Sequence, residues 1–131
     1  MPNQMSIVKR LFKWLFAGIF IAGGVLHFVS TATYERLMPP GLPYPRELVY
    51  VSGVIEAGLG VLLLVPKTRK FAAWGLIPTL IAIFPANVYG AITAGTENPA
   101  MPGVPVWAAW LRLPLQFVLI VWAYRYTRHE D

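Results

Sequence analysis

The chain has 131 residues, of which 56% are hydrophobic and 13% charged, with a net charge of +5 and no cysteine. A typical soluble domain carries about 25% charged residues, so this composition belongs to an integral membrane protein with length for one bundle. The missing cysteines exclude disulfide staples, thiolate metal sites and thiol relays, and the basic residues sit at the ends of apolar runs, a placement that argues against nucleic acid as a partner.

Crossing a hydrocarbon core about 30 Å thick takes roughly 20 mostly apolar residues. Four stretches qualify, at about 11 to 33, 47 to 65, 70 to 94 and 106 to 126. The expected fold is all-α, an antiparallel four-helix transmembrane bundle.

The first stretch follows Lys9, Arg10 and Lys13 and ends near the small-x-small run Ser30 to Ala32. Its apolar length exceeds the roughly 7 to 15 residues of a signal core, so it reads as a retained span. The loop "YERLMPPGLPYPRE" follows, with Pro39, Pro40, Pro43 and Pro45 stiffening its backbone. In the second stretch, Ser52, Glu56 and Gly60 recur at i, i+4 and i+8, with Gly53 and Ala57 beside them. A carboxylate that shares its stripe with small residues faces protein, not lipid.

The link "PKTRK" is short enough for a helical hairpin. The third stretch carries Pro78 and Pro85 on nearly one face, and each frees a carbonyl four residues back, at Trp74 and Ile81, for a polar neighbour. The loop "GTENPAMPGVP" has no base, and the fourth stretch brings Arg112 and Gln116. Lys9, Arg10, Lys13, Lys67, Arg69, Lys70, Arg125 and Arg128 all fall on one side of such a bundle, against Arg36 and Arg46 on the other. The positive-inside rule then places both termini in the cytoplasm. Trp14, Trp74, Tyr34, Tyr44, Tyr50, Tyr89, Trp107 and Trp110 lie near the expected interfaces, where aromatic rings anchor a span at the headgroups.

Strongly polar side chains inside the spans are few: His27, Glu56, Asn87, Arg112 and Gln116. At 1.5 Å per residue, His27, Asn87 and Arg112 lie roughly 10 Å below the outer surface and Glu56 and Gln116 about 15 Å below it. Every span therefore contributes to one polar layer. Charge complementarity pairs Glu56 with Arg112, and His27, Asn87 and Gln116 complete the cluster. An ion pair of this kind rarely gains much over apolar packing, and intramembrane ionisable residues mark functional sites by default.

One His, one Glu and one Asn make a poor ligand set for iron, copper or zinc, and a two-histidine haem is disfavoured because the second His, His129, sits in the tail. No covalent cofactor is expected. The layer suits a neutral, partly apolar ligand with carbonyl or hydroxyl groups, such as a quinone headgroup. Arg112 and His27 would donate to it, Glu56 would accept a proton, and Tyr50, Tyr89 and Trp110 would pack on its ring. Glu56 and His27 are the candidate catalytic residues, with Arg112, Asn87, Gln116, Tyr50, Tyr89 and Trp110 as candidate ligand-binding residues.

The stretch "AGGVLHFVSTATYERLMPPGLPYPRELVYVSGVIEAGLGVLLLVPKTRKFAAWGLIPTLIAIFPANVYG", with "WLRLPLQFVLIVWAY" after it, resembles the DoxX-like family of small bacterial four-helix membrane proteins. His27 and Phe28, the "MPPGLPYP" loop, "SGVIEAGLG", "FPAN" and "RLPLQ" carry the likeness. The resemblance implies a multi-pass protein of the bacterial inner membrane that serves as a quinone-linked subunit of a redox complex with a partner protein. Thiol chemistry does not carry over, since this chain has no Cys. The alternatives are a non-enzymatic chaperone or scaffold acting through Arg36, Tyr44 and Arg46, and a small transporter, which at this size would need a homo-oligomer.

Overall fold

In the computed structural model, which describes residues 4–38 and 40–128, the chain is all-helical: five helices and no strand among the described residues. They are α1 (Gln4–Val29), α2 (Thr31–Leu37), α3 (Pro45–Leu64), α4 (Arg69–Thr93) and α5 (Val106–Arg128). Four of them are long and apolar enough to cross a membrane, over Ile7–Val29, Pro45–Leu64, Arg69–Thr93 and Val106–Arg128. Pro39 and His129 lie outside the described residues.

These bounds depart from the sequence reading chiefly in the first helix, which begins at Gln4 instead of 11. The first helix stops at Val29 instead of running to 33, and the start of the expected loop is the short helix α2. Ser30 leaves the helical region (φ −118°, ψ 45°), and the Thr31 hydroxyl donates back to the carbonyls of His27 and Phe28 at 2.8 and 3.1 Å. A side chain that competes for carbonyls in this way bends a helix. The loop prolines then act after α2, and Pro45 opens α3 at a position that tolerates a missing N–H.

The helices pack as two pairs, α1 on α3 and α4 on α5, joined along α3 and α4. Glycine makes the first pair close: a Cβ on Gly24 would lie 2.5 Å from the Gly53 carbonyl oxygen, and one on Gly53 would lie 2.7 Å from the His27 Cβ. Such small-residue contacts are how helices approach each other where lipid removes the hydrophobic driving force. The second pair carries Pro85 in α4 and Pro114 in α5. Between α1 and α5, no Cα atoms come within 8 Å.

Side chains close that gap at one end only. Beside the α3–α4 turn, Phe16 meets Trp122 and Tyr126 at ring-centroid separations of 4.8 and 5.5 Å, and Phe12 meets Trp122 at 6.0 Å. Phe20, Leu63, Ala72, Ala73, Leu76, Leu80 and Ala123 extend this core. At the opposite end, Leu37 of α2 packs with Ala100, Met101 and Ala109. An unfilled space separates the two clusters.

Candidate functional site

The space is a cavity of about 880 Å³ lined from every helix. Its walls carry His27, Tyr34, Glu56, Asn87, Arg112 and Gln116 among otherwise mostly apolar side chains. Five of these are the residues singled out from the sequence.

Gly23 and Gly53 seat the first polar couple. The His27 Nδ1 lies 2.6 Å from the Gly23 carbonyl. A carbonyl oxygen only accepts, so Nδ1 carries its proton and Nε2 turns toward α3. There Nε2 lies 3.7 Å from Glu56 Oε2. His27 and Glu56 are both buried, with 7% and 9% of their surfaces exposed, and Oε2 has no hydrogen-bond partner. A buried, unsatisfied carboxylate oxygen is costly. Glu56 is also one of the residues that line the cavity.

The second couple crosses between α4 and α5. The Asn87 amide donates to the Gln116 Oε1, and Gln116 donates in turn to the Leu80 carbonyl. Pro85 has no N–H for the Ile81 carbonyl four residues back, yet that is not the carbonyl Gln116 takes up. The carbonyl taken up belongs to Leu80, a neighbour of the Ile81 carbonyl expected from the sequence. The Asn87 Oδ1 remains available on the cavity wall.

Tyr34, which its sequence position suggests as an interface anchor, is a site residue that the polar-layer argument misses. It reaches the cavity from α2 and stacks on the His27 imidazole, with centroids 4.1 Å apart and planes 19° from parallel. Burial pushes its phenol above the ordinary value; Glu56 adds to this and Arg112 opposes it. The hydroxyl thus stays protonated and able to donate. No helical spacing signals it, because the chain leaves the helix at Ser30, between His27 and Tyr34.

The expected Glu56–Arg112 pair does not form. Glu56 faces His27, and the Arg112 guanidinium donates to the Met101 Sδ at 2.8 Å. The reason is adjacency: the glycine face of α3 turns to α1, and α5 pairs with α4, near the loop that carries Met101. Arg112 lines the cavity, and among the described residues its side-chain acceptor is a thioether, which is a weak one. Tyr50, Tyr89 and Trp110 also stand apart from the cavity lining. Tyr50 stacks on Phe28 at 5.1 Å, Tyr89 packs beside the Leu37 cluster, and Trp110 is half exposed.

The basic residues show one further departure. Arg69, counted above with the topology-setting charges, is buried in the α3–α4 turn, where it donates to the carbonyls of Leu63 and Leu64 at 2.7 and 3.2 Å. It caps the negative end of α3.

Residues 16–127 match a family described as a domain of unknown function, DUF8561. The chain belongs to that family. No curated protein and no solved structure matches it. The matched range contains the whole cavity lining, from Ile19 to Leu119.

Proposed function

We propose that this is a membrane subunit that binds a quinone, or a lipid with a similar carbonyl or hydroxyl headgroup, in the cavity between its two helix pairs. The supporting observation is Glu56, which lines a largely apolar cavity and whose buried Oε2 has no hydrogen-bond partner. In this reading, Glu56 accepts a hydrogen bond or proton from the headgroup and His27 exchanges that proton through Nε2. Tyr34 and Arg112 donate to a second headgroup oxygen, and Asn87 offers the Oδ1 acceptor. Reducing a quinone to its quinol takes two electrons and two protons. A partner's cofactor supplies the electrons, and the cavity residues handle protons.

The same reading places the chain in the bacterial inner membrane as an antiparallel bundle with both termini in the cytoplasm, in keeping with its basic ends. It also keeps the DoxX-like kinship that its motifs suggest. Purification in mild detergent, followed by mass spectrometry of extracted lipids, tests the proposal. Co-purified quinone that falls at least about tenfold in Glu56→Gln, as expected for losing a charge-assisted hydrogen bond, supports it. A protein that purifies free of such lipids and binds no added quinone defeats it and favours the scaffold reading.

A further inference from the structure

The cavity does not end at the polar couples. Along α1 and α5, the stripes that touch at one end separate at the other: seven residues from Phe12 stands Ile19, and seven residues before Trp122 stands Leu115. Phe12 and Trp122 are in ring contact, whereas Ile19 and Leu115 both line the cavity and are 41% and 48% exposed. Phe20 and Leu119 form the adjoining wall. The cavity therefore has a sideways mouth between α1 and α5, at a level where the surrounding surface is apolar, and Ile19, Phe20, Leu115 and Leu119 make it apolar throughout.

A second opening lies between α3 and α4, where Ile55 and Ala82 line the cavity and are exposed. It is the narrower of the two, because α3 and α4 pack against each other whereas α1 and α5 bring no Cα atoms within 8 Å. Hydrocarbon leaves water and polar walls for apolar ones. The wide, apolar-lipped opening between α1 and α5 is thus the one suited to the hydrocarbon end of an amphiphile.

Resting on the functional reading above, we propose that the ligand is a long-tailed lipid quinone, with its head between Glu56 and Asn87 and its isoprenoid tail leaving the protein between α1 and α5 past Ile19 and Leu115. A water-soluble carbonyl compound would use neither the apolar arm nor a mouth opening sideways. The tail dwells in the membrane while the head is held, so exchange needs no passage through water.

The test compares matched probes, ubiquinone with its tail-less dimethoxy-methyl-benzoquinone headgroup and menaquinone with menadione, as the amount retained by immobilised protein in detergent. Ile19→Trp with Leu115→Trp fills the α1–α5 mouth, and Ile55→Trp with Ala82→Trp fills the other; circular dichroism and gel filtration establish that each variant is folded. The first pair is expected to weaken the tailed quinones roughly tenfold or more by excluding buried methylenes, with the headgroups bound as before. The second pair stands beside the head, so what it removes is removed from headgroup and tailed quinones alike. Equal loss of headgroup and tailed quinone in the first pair, or selective loss of the tailed quinones in the second, overturns the mouth assignment and leaves the functional reading standing. If the unaltered protein binds neither member of either pair, the functional reading falls and this inference with it.

Discussion

The His27 imidazole is held from both sides: Nδ1 gives its proton to the Gly23 carbonyl at 2.6 Å, and Nε2 confronts Glu56 Oε2 across 3.7 Å. That separation is too long for a hydrogen bond, so the couple shares a burial site without satisfying Oε2. A cluster built only for stability would close this gap, because removing one polar partner or leaving it unpaired costs about 1 to 3 kcal/mol. Glu56→Leu is therefore expected to raise the melting temperature in detergent while abolishing quinone retention, and Glu56→Gln to leave melting nearly unchanged with the same loss of retention. Thermal unfolding followed by circular dichroism, paired with the retention assay, checks this. A marked loss of stability in both variants would show that the acid is a structural element.

Gly23 and Gly24 of α1 differ in what a side chain there would meet. A Cβ on Gly24 meets the Gly53 carbonyl at 2.5 Å and the Ala57 amide nitrogen at 2.7 Å, both backbone atoms that cannot move aside. Gly24→Ala should separate α1 from α3 and cost about 1 to 3 kcal/mol. A Cβ on Gly23 meets the Glu56 Oε1 at 2.6 Å, the far end of a side chain. Gly23→Ala should displace the carboxylate and reduce retention several-fold with a smaller stability loss. Gly58 in α3 provides the control, since a methyl group there would find no atom within 4 Å, and Gly58→Ala should be neutral or stabilising by under about 1 kcal/mol. Equal melting temperatures for all three would contradict the close approach of α1 and α3.

The polar residues of the site stand out in the sequence because charged or amide side chains in a hydrocarbon window are costly and few. Their partners do not. Opposite charges suggest Glu56 with Arg112, yet partner choice follows helix adjacency, and adjacency here depends on which glycine faces mate. Tyr34 is concealed differently. Its α2 position depends on the break at Ser30 and on the Thr31 hydroxyl, a local contest for carbonyls that hydropathy does not register. The four long helices are legible from apolar length alone, and the cavity is not, since it arises where prolines and small residues divide between the two pairs.

Tyr34 gives the site a separable contribution. Tyr34→Phe keeps the ring stacked on His27 and removes the donor, so retention should fall a few-fold with melting unchanged, whereas Tyr34→Ala should lower both. The pH dependence has a definite sign. Burial raises the phenol pKa from its ordinary 10.0, so the folded state holds this proton more tightly than the unfolded chain. The contribution is fully present below pH 10 and is lost as pH rises through the folded-state value. Melting curves of the parent protein should therefore decline above pH 10 more steeply than those of Tyr34→Phe. Identical alkaline limbs would mean that the phenol is as well solvated folded as unfolded.

Arg69 tests whether a basic residue beside a span serves topology or structure. Its Nε and Nη2 donate to the Leu63 and Leu64 carbonyls, and the Thr68 hydroxyl donates to the Leu62 carbonyl at 2.8 Å, so the end of α3 is closed by side chains of the turn that follows it. Arg69→Met keeps most of the aliphatic stem and removes the donors. With buried carbonyls left unpaired and the helix dipole uncompensated, the loss should be about 1 to 3 kcal/mol. Lys67 is two residues away and exposed, so Lys67→Met removes an equal charge and should change stability by less than about 0.5 kcal/mol. A topology role alone predicts that both substitutions alter membrane orientation to a similar degree and that neither alters melting. Capping predicts that only Arg69→Met lowers the melting temperature, a difference that unfolding of the two purified variants in detergent resolves directly.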